Sequence, residues 1–321
     1  MGAGTLGLIG RKLLQLVAVL LAVTFFSFSL IKGLGHDPAN SIIPFGTPAQ
    51  RAQVDKDLGL DEPFLAQYGK WLGNLATGDL GKYYSTNQPV SEQLREALPV
   101  SLQLILYSQV LALLIAIPLG ILTAYRAGTK VDGGANTVAF GLLALPSFVL
   151  AFILAIYVGA RWRLLPTQGY VPFGQDPVQH LKDMALPVIS LAAGQIAIYM
   201  RLLRSDMIAT LQEDFITTAK AKGIPTRRVL FRHAFRPSSL TLLTVAGLNV
   251  GTLIGGAVVI EVIFGLPGIG DRITKAIFKN EYVALQSYIA IIAIAYVLIN
   301  FAVDLLYTVL DPRIRHGRAV A

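Results

Sequence analysis

Cysteine is absent from the 321 residues, which excludes disulfides, thiol chemistry and any metal site built on thiolates. Charge is scarce as well. Asp, Glu, Lys and Arg make up 14% of the chain against 54% hydrophobic residues, whereas about a quarter of a soluble domain is charged. Four histidines occur, His36, His180, His233 and His316, expected in loops and without metal-ligand spacing. No G-x-x-x-x-G-K-[ST] loop is present, and the glycine-rich GLPGIG at 265–270 lacks the lysine that would reach a phosphate. A membrane-embedded enzyme therefore has no nucleophile or metal constellation to work with, and a receptor has no appended signalling domain. If the chain moves a solute against a gradient, the energy comes from a partner or from an ion gradient.

What the chain has instead is long apolar runs. They lie at 13–31, 99–125, 136–159, 185–203, 240–263 and 285–310, close to the ~20 residues an α-helix needs to cross the hydrocarbon core. The expected fold is all-α and polytopic, with six transmembrane helices. The first helix and a long extracytoplasmic segment take 1–98, and a five-helix core takes 99–321. The first run follows Arg11 and Lys12. It is longer than a signal-peptide apolar region and no small-x-small cleavage site follows, so it reads as a retained helix. ALPVS (97–101) and ALPVIS (185–190) read as helix openings, because proline in a first turn forfeits no hydrogen bond. Pro118 and Pro146, inside runs, predict kinks.

Lysine and arginine set the orientation. Arg126 and Lys130, then Arg201, Arg204, Lys220, Lys222, Arg227, Arg228, Arg232 and Arg236, then Arg313, Arg315 and Arg318 fall on one side with Arg11 and Lys12. Cations on the other side are spread over longer loops and balanced by most of the acidic residues. Both termini and the 201–243 segment are thus expected in the cytoplasm, which accounts for the net charge of +8 without nucleic acid. Outside, Thr47-Pro48 can cap a helix that ends at Gly59. The run 58–81 combines amphipathic spacing, Tyr68 and Trp71 as anchors, and a Gly-Asp turn. An ordinary packed loop and a direct substrate contact are equally open for it.

The most distinctive stretch is the basic island RLLRSDMIATLQEDFITTAKAKGIPTRRVLFRHAFRPSSLTLL (201–243). One short helix is expected over 213–222, with Glu213 and Asp214 in its first turn, where the helix dipole favours negative charge. Gly223 and Pro225 stop it, and a second short helix follows over 226–235. Ala219 and Gly223 lie one turn apart, which predicts a flank bare of side chains that another protein can approach. A solvated loop that merely fixes orientation is the plainer alternative.

This island resembles the coupling loop, the EAA-type motif, of permease subunits in binding-protein-dependent ABC importers, above all those of the dipeptide and oligopeptide group. Thr217, Thr218 and Ala219 fall at the Glu-Ala-Ala positions, and Gly223 is the motif's glycine. Threonines replace the Glu and the first Ala. The motif's later proline falls at Thr241, whereas this chain has Pro237, a departure that concerns the turn into the next helix. GDLG (78–81), LPVSLQL (98–104) and EVIFGLPGIG (261–270) extend the resemblance along most of the chain. The resemblance implies a type I ABC importer permease fold in the cell membrane, with Glu213, Asp214, Thr217, Thr218, Ala219, Lys222 and Gly223 coupling it to an ATPase. It implies a second, homologous permease, two ATPase subunits and an extracytoplasmic peptide-binding protein as partners. ATP and Mg would be bound by the ATPases, with no cofactor on this chain. Nickel or glutathione, carried by the same class, remain alternatives to peptides.

Within the spans, Gln103, Tyr107, Ser147, Ser190, Gln195, Asn249, Thr252 and Glu261 are candidates to line a pathway for a polar solute. For each alone an interhelical hydrogen bond is the plainer reading, while as a set they suit a path that passes a polar solute without holding it tightly. Gly247, Gly251 and Gly255 form a four-residue stripe for close helix packing. Glu261 and Asp304 are ionisable residues in or near spans, and so functional suspects. Glu261 reads as gate or loop architecture, and Asp304 as paired near Asp311-Pro312-Arg313. A secondary transporter with Glu261 or Asp304 as carrier is the second hypothesis. It predicts a discontinuous helix, of which the sequence offers no clear pair.

Overall fold

The computed structural model describes residues 3–33, 45–57, 59 and 61–310. Helices run in the order α1 (Ala3–Gly33), α2 (Pro48–Asp57), α3 (Phe64–Thr77), α4 (Val90–Tyr125), α5 (Lys130–Ala144) and α6 (Ser147–Leu154), the last prolonged by a π-helical turn (Ala155–Arg161). Then come α7 (Pro177–Leu211), α8 (Asp214–Ala221), α9 (Thr226–Arg228) with a π-helical turn (Val229–Ala234), α10 (Phe235–Phe264), α11 (Ile269–Phe278) and α12 (Tyr282–Leu310).

Among the described residues, four helices are long and apolar enough to cross a membrane: α4, α7, Thr226–Phe264 and Tyr282–Val303. The pair α5 and α6 makes a fifth if it counts as one broken span. The sequence predicts six. In α1 the apolar stretch is only Leu13–Ser29, short of the usual crossing length.

The run 136–159 is not a kinked rod but a break, with α5 and α6 bent by 98°. Proline drives the residue before it out of the helical region. Leu145 accordingly takes φ −93°, ψ 117° and Pro146 φ −56°, ψ 141°. Pro118, by contrast, lies within the unbroken α4. Pro99 and Pro187 are not at helix openings either; both lie inside helices. The true start of α7 is Pro177, behind Asp176, whose Oδ1 accepts from the N–H groups of Val178 and Gln179 at 3.0 Å each. Hydropathy marks where a helix is apolar, and here the polar turns VSEQLREA and VQHLKDM extend the helices outward.

The chain divides into two compact units. One contains residues 1–100 and 267–301, the other 101–266 and 302–321. The stretch 267–301, which the sequence reading places in the core, belongs to the first.

In the first unit, α1 and α3 meet through aromatic edges. Phe25 and Phe28 pack against Phe64 and Tyr68 with centroids 5.3–5.7 Å apart, and Thr24 Oγ1 lies 3.0 Å from the Tyr68 hydroxyl. The expected cap of α2 is present: Gln50 N–H donates to Thr47 Oγ1 while Thr47 N–H donates to Gln50 Oε1 at 2.8 Å. The GDLG motif ends α3. Gly78 is left-handed, Asp79 N–H returns to Asn74 O, and Asp79 Oδ1 accepts from Gly81 N–H. Gly81 has φ +77°, and a Cβ there would collide with Val283.

Residues 82–89 then close on themselves through an antiparallel bridge between Lys82 and Pro89. Glu281, 1% exposed, accepts from Tyr84 N–H at 2.6 Å and Ser85 N–H at 2.9 Å. The Tyr83 and Tyr288 hydroxyls are 2.7 Å apart, and Ser287 Oγ donates to Leu80 O. Burial and Glu281 together push the Tyr84 hydroxyl up to about 12.

In the second unit one apolar core joins α4, α5, α7, α8, the π-helical turn after α9, and α10. Gly120 lets α4 approach α7, since a Cβ there would lie 3.1 Å from Leu203 and from Met200 O. Tyr199 on α7 donates to Gln109 Oε1 on α4, and Gln109 Nε2 donates to Ala246 O on α10. His180, expected in a loop, lies fully buried in the first turns of α7, with Nδ1 2.8 Å from Val171 O. His233 sits in the second π-helical turn, while His36 and His316 lie outside the described residues.

Candidate functional site: the basic hairpin and the polar cavity

The basic island folds as a hairpin. α8 spans Asp214–Ala221, within a residue of the predicted bounds at each end. Glu213 is its N-cap and Asp214 lies in its first turn. Gly223 stops it as expected. Its φ is +72°, its N–H bonds to Lys220 O, and Ile224 N–H reaches back to Ala219 O at 3.2 Å. That is the paired closure that a left-handed glycine provides. The second helix differs from expectation: Thr226–Arg228 passes through a π-helical turn directly into α10, so no separate short helix ends near 235. Pro237 lies just past that π-helical turn, inside the continuous Thr226–Phe264 helix, where it has no N–H to offer the ladder.

Ala219 corrects the bare-flank expectation. It is 6% exposed and packs with Ile216, Met207, Val229 and Ala234 in the chain's own core. Its small side chain lets α8 sit down on that core, and Gly223 alone lies outside, with no atom within 4 Å of a Cβ built there. Facing outward are Glu213, Asp214, Thr217, Thr218, Lys220, Lys222, Arg227, Arg228, Arg232 and Arg236. Among these charges stand two aromatic rings, Phe215 at 49% and Phe231 at 53% exposed. Sequence reasoning passed over both. Their signal was an apolar residue placed out of step with the buried pair Ile216 and Ala219.

The helix that leads into the hairpin is tied on two sides. Arg204 on α7 grips Asp132 on α5 with two bonds, Nε to Oδ1 at 2.6 Å and Nη2 to Oδ2 at 2.7 Å. Asp132 also accepts from Gly128 N–H and Asn136 Nδ2. Arg201 stacks 4.1 Å over the Phe140 ring. Further along, Thr210 Oγ1 lies 2.9 Å from Ser238 Oγ of α10. Arg201 and Arg204 thus have work beyond setting orientation.

The pathway candidates separate into two groups. Ser147, Ser190, Gln195 and Thr252 converge on one cavity of about 230 Å³, with Leu145, Leu150, Leu191, Ala193, Gly194, Leu253 and Gly256. No lining residue is ionisable. Gln103 and Tyr107 lie elsewhere: Gln103 Oε1 accepts from the Tyr170 hydroxyl, and Tyr107 meets the His180 ring edge-on at 5.8 Å. Asn249 does not line the cavity, and its Nδ2 is buried without a hydrogen-bond partner. Glu261 is buried in the last turns of α10 and also lies off the cavity lining. Asp304 belongs to α12, but its side chain and the 311–313 tail fall outside the described residues.

The glycine stripe is only partly a packing seam. A Cβ on Gly247 would lie 2.8 Å from Val303 and Gly251 is buried, but Gly255 faces open space. Gly256 makes the other close approach, 2.8 Å from Leu191.

Residues 116–316 match the family model described as the binding-protein-dependent transport system inner membrane component. Residues 5–105 match that of its N-terminal part. The chain belongs to this family. It is a multi-pass inner-membrane permease, the transport component rather than a catalytic subunit, and the family works with ATPase and binding-protein partners. Three relatives have similar lengths. The oligopeptide transport system permease protein AppB of Bacillus subtilis is 36% identical over 313 residues, covering 95% of this chain and 98% of its own. The dipeptide transport system permease protein DppB of Alkalihalophilus pseudofirmus is 34% identical over 333 residues, covering 95% and 98%. The di/tripeptide transport system permease protein DppB of Pseudomonas aeruginosa is 34% identical over 338 residues, covering 98% and 100%. In the permease, the Asp132–Arg204 clasp went unseen in the sequence because its partners lie 72 residues apart.

Proposed function

We propose that this permease forms half of the membrane pore of an ATP-driven peptide importer and that α8 is the lever on which an ATPase subunit acts. The observation that carries this is the two-sided build of α8, seated by Ile216 and Ala219 and presenting Phe215 among exposed cations. Aromatic and arginine side chains are the usual anchors of an interface. Peptide cargo is supported by the names of the three relatives. The N-terminal helix and the broken pair α5–α6 complete a six-span core with both termini and α8 in the cytoplasm. A second, homologous permease, two ATPases that bind ATP and Mg, and an extracytoplasmic peptide-binding protein complete the assembly, and this chain holds no cofactor. Closure of the ATPases moves α8, its seat passes the movement to α7 and α10, and the Asp132 clasp carries it to the broken span.

The test is purification from the native membrane in mild detergent, with mass spectrometry of bound chains and uptake of peptides. Wild type retains an ATPase and a second permease. Gly223→Asp, which places a β-carbon at φ +72° and a negative charge on the basic face, inserts normally but loses peptide uptake. Normal uptake by that variant would sink the coupling assignment.

One observation favours the ion-driven alternative, the 98° break at Pro146, since such transporters use discontinuous helices. That reading requires the isolated chain to transport under an ion gradient and Glu261→Gln to abolish it.

A further inference from the structure

The cavity between α6, α7 and α10 poses a specific question of chemistry. It has hydroxyls from Ser147, Ser190 and Thr252 and an amide from Gln195, but no charge. Ser190 Oγ is already committed as a donor to Leu186 O at 2.7 Å. Gln195 is 7% exposed, and its Oε1 is buried without a hydrogen-bond partner. A buried acceptor left unpaired costs the desolvation of that atom, so its retention calls for a donor that arrives from outside the chain. The space beside it is kept by small residues: Ala193 and Gly194 precede Gln195, and Gly256 faces Leu191. At about 230 Å³ the cavity is below the range of ordinary small-molecule pockets. It accommodates a segment of a ligand, not a whole one. Leu145 and Ser147, which flank the break at Pro146, both line the space.

We propose that this cavity is a transient site for the main chain of a passing peptide, with a peptide N–H donating to Gln195 Oε1. The inference deepens the peptide-importer reading and rests on it. A neutral lining gives no counter-charge to a peptide's termini or to charged side chains. A main-chain N–H is a donor that peptides offer whatever their side chains, proline excepted, so a single acceptor suits a site that handles many sequences without holding any tightly.

The experiment uses the assembled transporter in proteoliposomes and alanine peptides of two to five residues, each with free or N-methylated main-chain amides. Wild type prefers the free amides. In Gln195→Leu that preference falls roughly five-fold, the equilibrium worth of one net hydrogen bond. Gln195→Met, unbranched and of similar length, shows the same fall and guards against misfolding of either variant. Any discrimination by the binding protein is common to all three and cancels. Variants that keep the wild-type preference, or that slow both kinds of peptide equally, overturn the site. A wild type that imports none of the peptides overturns the peptide reading itself, a different result from either.

Discussion

Two polar connections in this permease begin alike and end differently. Residues 78–89 of the first unit and residues 212–236 of the second each contain a left-handed glycine that stops a short helix, Gly78 in one and Gly223 in the other. The first is then satisfied internally: Glu281 takes two of its N–H groups, Tyr83 finds Tyr288, and Ser287 caps Leu80. The second buries only an apolar underside and leaves Phe215, Phe231 and six cations outward. A connection that spends its polar groups on its own unit is built to hold a shape. One that keeps them outward is built to meet something else.

If that contrast is right, the two connections fail in opposite ways. The largest effect belongs to Glu281→Ala, which leaves the Tyr84 and Ser85 N–H groups without their acceptor. Bonds to a charged group are strong, so the purified permease should lose about 3 kcal/mol of stability, read as a lower midpoint of thermal unfolding. An unchanged midpoint would mean that the first connection is not held from within. Phe215→Asp should do the reverse. Stability stays within about 0.5 kcal/mol, as for most surface changes, while ATPase retention on the purified chain weakens by about 2 kcal/mol, the scale of an interface anchor. Loss of folding instead of partner would place Phe215 with the buried seat.

The last effect shows only at alkaline pH. The folded chain holds the Tyr84 proton to about 12, two units above the usual tyrosine value. Because the folded pKa is the higher one, this group's contribution is complete below pH ~10 and declines as pH rises from there toward 12. Tyr84→Phe removes the titrating group, so its alkaline unfolding should be shallower than wild type over that window and identical at neutral pH. Parallel curves throughout would show that Tyr84 is not held by Glu281 and its burial.

Much of this was legible in the sequence where a single residue type forces a local outcome. Gly223 was readable because few residues other than glycine tolerate φ +72°, and the start of α2 because Thr47-Pro48 pairs a capping residue with a proline suited to a first helical position. Phe215 and the clasp were not, since a hydrophobic residue or an acid carries no mark of where its partner lies. The pathway set shows the mixture. Ser147, Ser190, Gln195 and Thr252 were named for their polarity alone and share one cavity, while Gln103 and Tyr107, named on the same ground, found partners elsewhere and Asn249 lies off the cavity lining.

The sequence by itself determined that the chain is a bundle of apolar helices with one basic hairpin, because hydropathy, charge and glycine act over a turn or two of backbone. Only the tertiary structure decided which side of α8 is buried and whether Pro118 or Pro146 breaks its helix. It also decided which polar groups share a cavity. Those outcomes depend on neighbours that other elements of the chain supply, and packing against them, not local preference, settles the balance.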